Sequence, residues 1–117
     1  MKETVALKLN HEFCRLYQRG KKAVTPCVVV YCRKNRLGRS RLGLTVGLTV
    51  SKKAVIRNRT RRRIKEAYRT HEDRMVPGYD IVVVARVRAS FACYQEVERH
   101  LLKAMDQLGL LEKRGGQ

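Results

Sequence analysis

The sequence predicts an α+β sandwich, three helices packed on a small sheet in the chain order α-β-β-α-β-α. Three observations carry that prediction. Segments 27–33 and 79–86 are runs of β-branched and apolar residues bounded by turn signals, the pattern of buried strands. Segment 42–50 alternates apolar residues with glycine and threonine at a period of two. Around them lie three stretches whose apolar residues recur at intervals of three and four, the helical spacing. No composition shift or linker interrupts the chain. Residues 1–117 therefore read as one domain, with an ordered core at about 7–110 and a frayed tail at 113–117.

The elements follow in order. Residues 11–19 form a short helix, capped by Asn10 and ended by Gly20, with Phe13, Leu16 and Tyr17 on one face. Thr25-Pro26 breaks the chain before the first strand. Along 27–33, Val29, Tyr31 and Arg33 point one way and Val28, Val30 and Cys32 the other. The basic, turn-rich loop 34–41 has the length of a hairpin connection, which predicts an antiparallel partner in 42–50. That partner contains a tandem repeat, Gly-Leu-Thr-Val at 43–46 and again at 47–50. An even repeat keeps Leu42, Leu44, Val46, Leu48 and Val50 on one face. The second helix covers 54–70, with Ser51 as its cap and Ile56, Thr60, Ile64, Ala67 and Tyr68 as its inward stripe. Pro77-Gly78 marks a turn into strand 79–86, which is apolar enough for burial on both faces. The last helix spans 91–108, with Val97, Leu101, Ala104, Met105 and Leu108 inward and Gly109 as its stop.

Charge narrows the function. Lys and Arg total 27 against 10 Asp and Glu, a formal net charge of +17. A hydrophobic fraction of 44% argues against a disordered basic tail. The longest apolar run has six residues, at 27–32, far short of the ~20 that span a membrane. No secretory signal is visible. A folded domain with so large a positive field has a polyanion as its expected partner. Cys14, Cys27, Cys32 and Cys93 form no CxxC pair, and three sit in or beside apolar patterns. They read as buried free thiols of a reducing cytoplasm. His11, His71 and His100 are scattered and none stands at ligand spacing from a cysteine, so no metal site is expected.

The charge is concentrated. Residues 52–69 hold nine basic side chains and a single acid, Glu66. Five arginines stand within the seven positions 57–63. Like charges one turn apart destabilise an isolated helix by a few tenths of a kcal/mol per pair, so the cluster needs a cause beyond solubility. Arg57, Arg61 and Lys65 stack along one side at helical spacing, with Arg62 and Arg69 on an adjoining track. Guanidinium forks grip phosphate oxygens in pairs, and this reads as a phosphate-binding helix. Asn58 can read a base edge, hold a sugar hydroxyl or brace the preceding loop. Phe13 and Tyr17, one turn apart, and Tyr31, beside Arg33, have the composition of a base-stacking platform. Periodicity alone gives Phe13 and Tyr17 a core role instead. No carboxylates converge as a metal-dependent nuclease requires, and no GxSxG, HExxH or phosphate-loop pattern is present, so no catalytic residue is expected. The close acidic pairs, Glu72-Asp73 and Glu96/Glu98, look like surface positions.

The stretch Lys52-Lys53-Ala54-Val55-Ile56-Arg57-Asn58-Arg59-Thr60-Arg61-Arg62-Arg63-Ile64-Lys65-Glu66-Ala67-Tyr68-Arg69 resembles the signature of the bacterial ribonuclease P protein subunits, with Arg57-Asn58-Arg59 on the family's Arg-Asn-Arg motif. Three further blocks are similar and collinear: Asn10-His11-Glu12-Phe13 with Tyr17 and Gly20-Lys21; residues 41–46; and residues 79–86. Together they cover roughly residues 7–108. The resemblance implies an α-β sandwich with a left-handed β-α-β crossover, against the usual rule for such connections. It implies an RNA-binding subunit that helps a catalytic RNA, the ribonuclease P RNA, remove the 5′ leader of precursor tRNA. Mg²⁺ serves that RNA-catalysed reaction, and neither a membrane nor a protein partner is indicated. It implies RNA contacts at Arg57, Asn58, Arg59, Arg61, Arg62, Lys65 and Arg69. It also implies a leader-binding cleft at Phe13, Tyr17 and Tyr31, which reverses the core reading of the first two. Lys52 and Lys53 are auxiliary. The family places Ser-Lys-Lys directly after the Leu-Thr-Val strand and then a glycine turn. Here residues 47–50 intervene and Lys53 meets Ala54 without a glycine. Either the repeat extends the strand or Ser51-Lys52-Lys53 occupies the turn. The competing functions are an RNA-binding module of the ribosomal-protein or RNA-chaperone kind and a self-sufficient nuclease.

Overall fold

The computed structural model describes residues 5–6 and 10–111, with side chains from Phe13 onward. The core limit at residue 7 and the tail 113–117 lie outside those described positions, as does the Asn10 side chain assigned as a cap. The elements are β1 (Val5–Ala6), α1 (Asn10–Arg19), β2 (Lys21–Val24), β3 (Val28–Lys34), β4 (Arg41–Thr45), α2 (Ala54–Thr70), β5 (Tyr79–Ala85) and α3 (Tyr94–Gln107). Short 3-10 turns at Glu72–Arg74 and Val87–Ser90 bracket β5. One sheet carries the strands in the order β1-β4-β5-β3-β2.

The two strands 27–33 and 42–50 run antiparallel as expected, but their direct hairpin pairing is corrected. β5 lies between them, antiparallel to β3 and parallel to β4. The reason is burial. β5 is apolar on both faces, so it takes the centre, with Ile81, Val82 and Val83 all fully buried. The loop after β3 strides over its end and is tied there. The Asn35 backbone N–H donates to the Gly78 carbonyl at 2.8 Å, and Asn35 Nδ2 donates to Asp80 Oδ1 at 2.9 Å. β4, α2 and β5 thereby form a parallel crossover between neighbouring strands.

Helices cover both faces. α1 lies on one, where Leu16 and Val82 are buried and Phe13, Tyr31 and Val84 pack against them. α2 and α3 share the other. There Ile64, Ala67 and Tyr68 meet Val97, Leu101 and Met105 over Val28, Val30, Ile81 and Val83. The alternation predicted along β3 holds, with Val28, Val30 and Cys32 buried beneath α3 and Val29 and Tyr31 half-buried on the α1 side.

Several boundaries move. The strand predicted to reach residue 50 stops at Thr45, and the second copy of the repeat is a turn. The Val50 N–H donates to the Gly47 carbonyl at 3.0 Å, Val46 and Val50 are both buried, and Leu48 is 69% exposed. A period-two pattern cannot separate a strand from a turn whose two ends point inward. Ser51 is not the α2 cap. Its Oγ accepts from the Lys53 N–H at 3.2 Å, so Ser51-Lys52-Lys53 forms the turn and Lys53 is the N-cap. Ile56 is half-buried rather than core. α3 starts at Tyr94 because residues 87–90 form the 3-10 turn and leave Phe91 83% exposed. Its end is as expected: Gly109 at φ +72° closes a Schellman turn, with Leu110 N–H on Met105 O and Gly109 N–H on Asp106 O. β2 and the two-residue β1 were not foreseen. β2 buries only Ala23 and so shows no alternating pattern. All four cysteines are free, but Cys14 and Cys93 are exposed, since their positions fall on helix faces or turns turned from the core.

Candidate nucleic-acid interface

The basic helix α2 is anchored by its narrow apolar stripe. Thr60, Ile64, Ala67 and Tyr68 are buried, and the Thr60 hydroxyl is satisfied by the Ile56 carbonyl at 2.9 Å. Beyond Ala54, Val55 and Ile56 at its start, everything outside that stripe is polar. The structure divides the cations into four groups, which corrects the single stack of Arg57, Arg61 and Lys65. Arg57 and Arg61 turn toward β4 and its following loop. Arg57 Nη1 donates to the carbonyls of Ser51 and Lys52, both at 3.0 Å, and Arg61 Nη1 to that of Leu44 at 3.3 Å. Arg63 turns the other way and donates to the Ala92 carbonyl at 2.7 Å. Arg69 is paired with Glu66, whose carboxyl it holds below the usual carboxylate range through a hydrogen bond. Asn58, Arg59, Arg62 and Lys65 are left exposed, with no hydrogen-bond or ion-pair partner among the described residues. They share the outer surface of the helix. Arg59 and Arg62 also border an open hollow of about 510 Å³ against Tyr94 of α3. The first turn of α2 carries no acid, and Lys52 and Lys53 stand exposed just before it.

The three aromatic residues come together on the opposite face of the sheet. Phe13 and Tyr31 pack against Leu16 and Val82. Tyr17 meets Tyr31 edge to face, with centroids 5.0 Å apart and planes at 73°. Tyr17 is 41% exposed and Tyr31 and Phe13 are half-buried, so the rings form a supported surface with open faces. Cations fringe it. Arg15 and Arg33 border two adjoining hollows of about 430 and 580 Å³, the first reaching Arg36 and the second Arg19. Arg15, Arg19 and Arg36 were not singled out from the sequence. The signal was present, since Arg15 and Arg19 lie one turn apart on the polar side of the first helix.

Across the end of this fringe, Arg33, Asp80 and Arg41 are aligned in register on three adjacent strands. Arg41 forks onto Asp80 at 2.6 and 2.8 Å. Burial raises the Asp80 carboxyl, but hydrogen bonds from Arg41 and Asn35 and the charges of Arg41 and Arg33 outweigh it. The carboxyl is held below its ordinary value. The other acids with recorded contacts are also tied to bases: Glu96 to Arg88 at 2.9 Å, and Glu98 to His71 at 3.0 Å. Glu96 and Glu98 are thus half-buried partners rather than loose surface charges, and His71 caps an ordered helix end.

The end of β4 joins the two surfaces. Tyr17 Oη lies 3.4 Å from Thr45 Oγ1, and Arg61 holds the neighbouring Leu44 carbonyl. The helix that carries the free guanidiniums and the aromatic cluster are thus tied, through Arg61 and Tyr17, to two adjacent residues of one strand.

Fold and surface together define a small basic α+β domain whose chemistry suits a polyanion. Comparison with known proteins makes the assignment particular: the chain matches the Ribonuclease P family over residues 1–109 and belongs to it. It is 40% identical over 99 residues to the ribonuclease P protein component of Clostridioides difficile, spanning 84% of this chain and 86% of that one. It is 34% identical to the protein component of Natranaerobius thermophilus, spanning 97% of each. Among solved structures, the RNase P protein of Staphylococcus aureus superposes with a TM-score of 0.83 at 27% identity, over 92% of this chain and 97% of that one. The RNase P protein of Thermotoga maritima gives 0.77 at 30% identity, over 92% and 98%. Membership places the chain in a ribonucleoprotein endoribonuclease of tRNA processing, with the ribonuclease P RNA as partner. Among the described residues no helix is long and apolar enough to cross a membrane.

Proposed function

We propose that this chain binds the catalytic RNA of ribonuclease P through the outer face of α2 and holds the single-stranded 5′ leader of precursor tRNA across Phe13, Tyr17 and Tyr31. One observation supports the reading: the arginine-rich helix and the supported aromatic face converge on the end of β4, where Arg61 holds the Leu44 carbonyl and the Tyr17 hydroxyl lies beside Thr45. Arg59, Arg62 and Lys65 neutralise backbone phosphates of the structured RNA, with Asn58 among them as a neutral donor and acceptor. Arg57 and Arg61 set the β4 end and the loop carrying Lys52 and Lys53, and contribute charge from there. Leader bases stack on the open faces of Tyr17 and Tyr31, at roughly 1–3 kcal/mol per stacked base, while Arg15 and Arg33 follow its phosphates.

The protein's share of catalysis is positioning. It brings the leader and the RNA into one frame and offsets the repulsion between two polyanions. The phosphodiester is cut by the RNA, which uses Mg²⁺, and no side chain here is assigned as nucleophile or base. The compartment is the cytoplasm, where precursor tRNA is made.

The test is Tyr31→Ala. Binding of a leader-containing precursor tRNA to the assembled ribonucleoprotein should weaken by about tenfold, with mature tRNA nearly unchanged. Equal losses on both would refute the leader assignment. A generic RNA-binding module would show no dependence on the leader at all. Cleavage of precursor by the protein alone would refute the division of labour between protein and RNA.

A further inference from the structure

A second group of chemistry-bearing side chains lies away from both surfaces, on the α3 side of the sheet. Cys27 stands immediately before β3. Its carbonyl is fixed by the Arg86 N–H at 2.8 Å, and its side chain is fully buried. Glu96 and His100 are one turn apart on α3, so both reach the same spot. A thiol sulfur, a carboxylate oxygen and an imidazole nitrogen all lie within 4.8 Å of one another there. Cys27 Sγ is 3.5 Å from Glu96 Oε2. His100 Nδ1 is buried with no hydrogen-bond partner among the described residues, which an imidazole nitrogen rarely tolerates.

We propose that Cys27, Glu96 and His100 form a binding site for a zinc-class divalent ion that ties the start of β3 to α3. The donor set is the thiolate, imidazole and carboxylate combination that zinc favours, and magnesium or calcium would not select it. Bond lengths to such an ion of about 2.0–2.3 Å need the three ligand atoms to close in by about 1 Å, within reach of side-chain rotation. Glu96 and His100 are only half-buried, which leaves one side open for a water as fourth ligand. Binding expels the Cys27 thiol proton to solvent; the thiolate and the Glu96 carboxylate then make the loaded site neutral, where the empty site carries one negative charge. Arg88 donates to Glu96 at 2.9 Å but is 60% exposed, and it can stay on the carboxylate as an outer partner or swing into solvent. The sequence concealed the site because Cys27 and Glu96 are 69 residues apart. The ion would be structural, since these residues sit behind the sheet from the aromatic face.

The experiment uses the full, tag-free chain, kept reduced and stripped by a chelator, and titrates it with Co²⁺ as the spectroscopic probe. The expected result is a thiolate-to-cobalt charge-transfer band with tetrahedral visible bands, saturating at one cobalt per chain and erased by Zn²⁺. Zn²⁺ should also raise the melting temperature, and Mg²⁺ should not. Cys27→Ser should abolish the charge-transfer band, and Cys93→Ser should leave it. Because Cys27 is buried, His100→Gln and Glu96→Gln, on the half-exposed helix surface, carry the decision, with circular dichroism confirming the fold. Each should weaken cobalt binding by at least about tenfold. No saturable spectrum, a spectrum without thiolate, or binding indifferent to His100→Gln would overturn the site.

Discussion

The outer face of α2 gives the sharpest prediction, because charge neutralisation has its own signature in salt. The perturbation is Arg59→Gln with Arg62→Gln and Lys65→Gln. These side chains are exposed and unpartnered among the described residues, so nothing in the fold depends on them. Glutamine is shorter but unbranched and polar, and it keeps a similar helix propensity. Each phosphate neutralised contributes about 0.9 to the slope of log K against log salt for duplex RNA-like targets, and about 0.7 for single strands. Removing three contacts should flatten the slope by about 2.1–2.7. Measured near 0.1 M salt, one decade below the point where this term vanishes, affinity for the ribonuclease P RNA should fall by roughly 100- to 500-fold, or about 3–4 kcal/mol. Folding should not suffer. Relief of like-charge repulsion is worth a few tenths of a kcal/mol in the variant's favour. The assay is filter binding across salt concentrations alongside thermal melts. Lys103→Gln, on the exposed side of α3, serves as control. A triple variant that binds with an unchanged slope would refute the assignment of this face to phosphates.

Other outcomes follow from single contacts. Arg57→Gln should cost stability as well as binding, since its guanidinium holds two carbonyls of the loop before α2; a melt losing about 1–2 kcal/mol checks this. Gly20→Ala should destabilise by about 1–3 kcal/mol in urea unfolding, because a Cβ there would sit 2.6 Å from the Leu16 carbonyl oxygen and 2.9 Å from that of Cys32. Gly109→Ala should lose about 1 kcal/mol at its left-handed φ of +72°, with helix content otherwise intact by circular dichroism. Asp80 has its carboxyl held down in the folded state. Its contribution is therefore complete above the ordinary carboxylate value of about 3.9 and disappears as pH falls below it. Asp80→Asn should lower stability at neutral pH by about 1–3 kcal/mol and shrink the acid-induced loss below about pH 4. An unchanged acid branch would show that Asp80 is not its source.

The helices were more legible than the sheet, and the reason is physical. The buried stripe of α2 and the Gly109 stop of α3 are local facts, set by spacing of 3.6 residues and by one backbone conformation. Strand neighbours are not local. Loop 34–41 has hairpin length, but the sheet places its centre by burial, and β5 is apolar on both faces where β4 is not. The tandem repeat misled for a related reason. Val46 and Val50 are both inward, as a strand requires, yet the chain folds back between them in a turn closed by the Val50 N–H on the Gly47 carbonyl.

The candidate surfaces divided along the same line. The Arg-Asn-Arg helix is a run of sequence, so its residues were all nameable; which of its cations are free was not, because Arg57, Arg61 and Arg63 spend donors on carbonyls contributed by other elements. Phe13 and Tyr17 looked like core by spacing, and Phe13 does pack on Leu16 and Val82. What makes them a surface is that α1 covers only part of its face of the sheet, leaving Tyr17 leaning over Tyr31 toward Thr45. That partial cover also explains the placement of the charge. A helix that closed the face would leave an arginine-rich α2 with one surface to offer; a short helix leaves a second, and the end of β4 touches both. Thr45→Val, which removes the hydroxyl beside Tyr17, should therefore be non-additive with Tyr17→Phe in a double-mutant cycle on precursor affinity, whereas Tyr31→Ala and Arg62→Gln, on separate surfaces, should add.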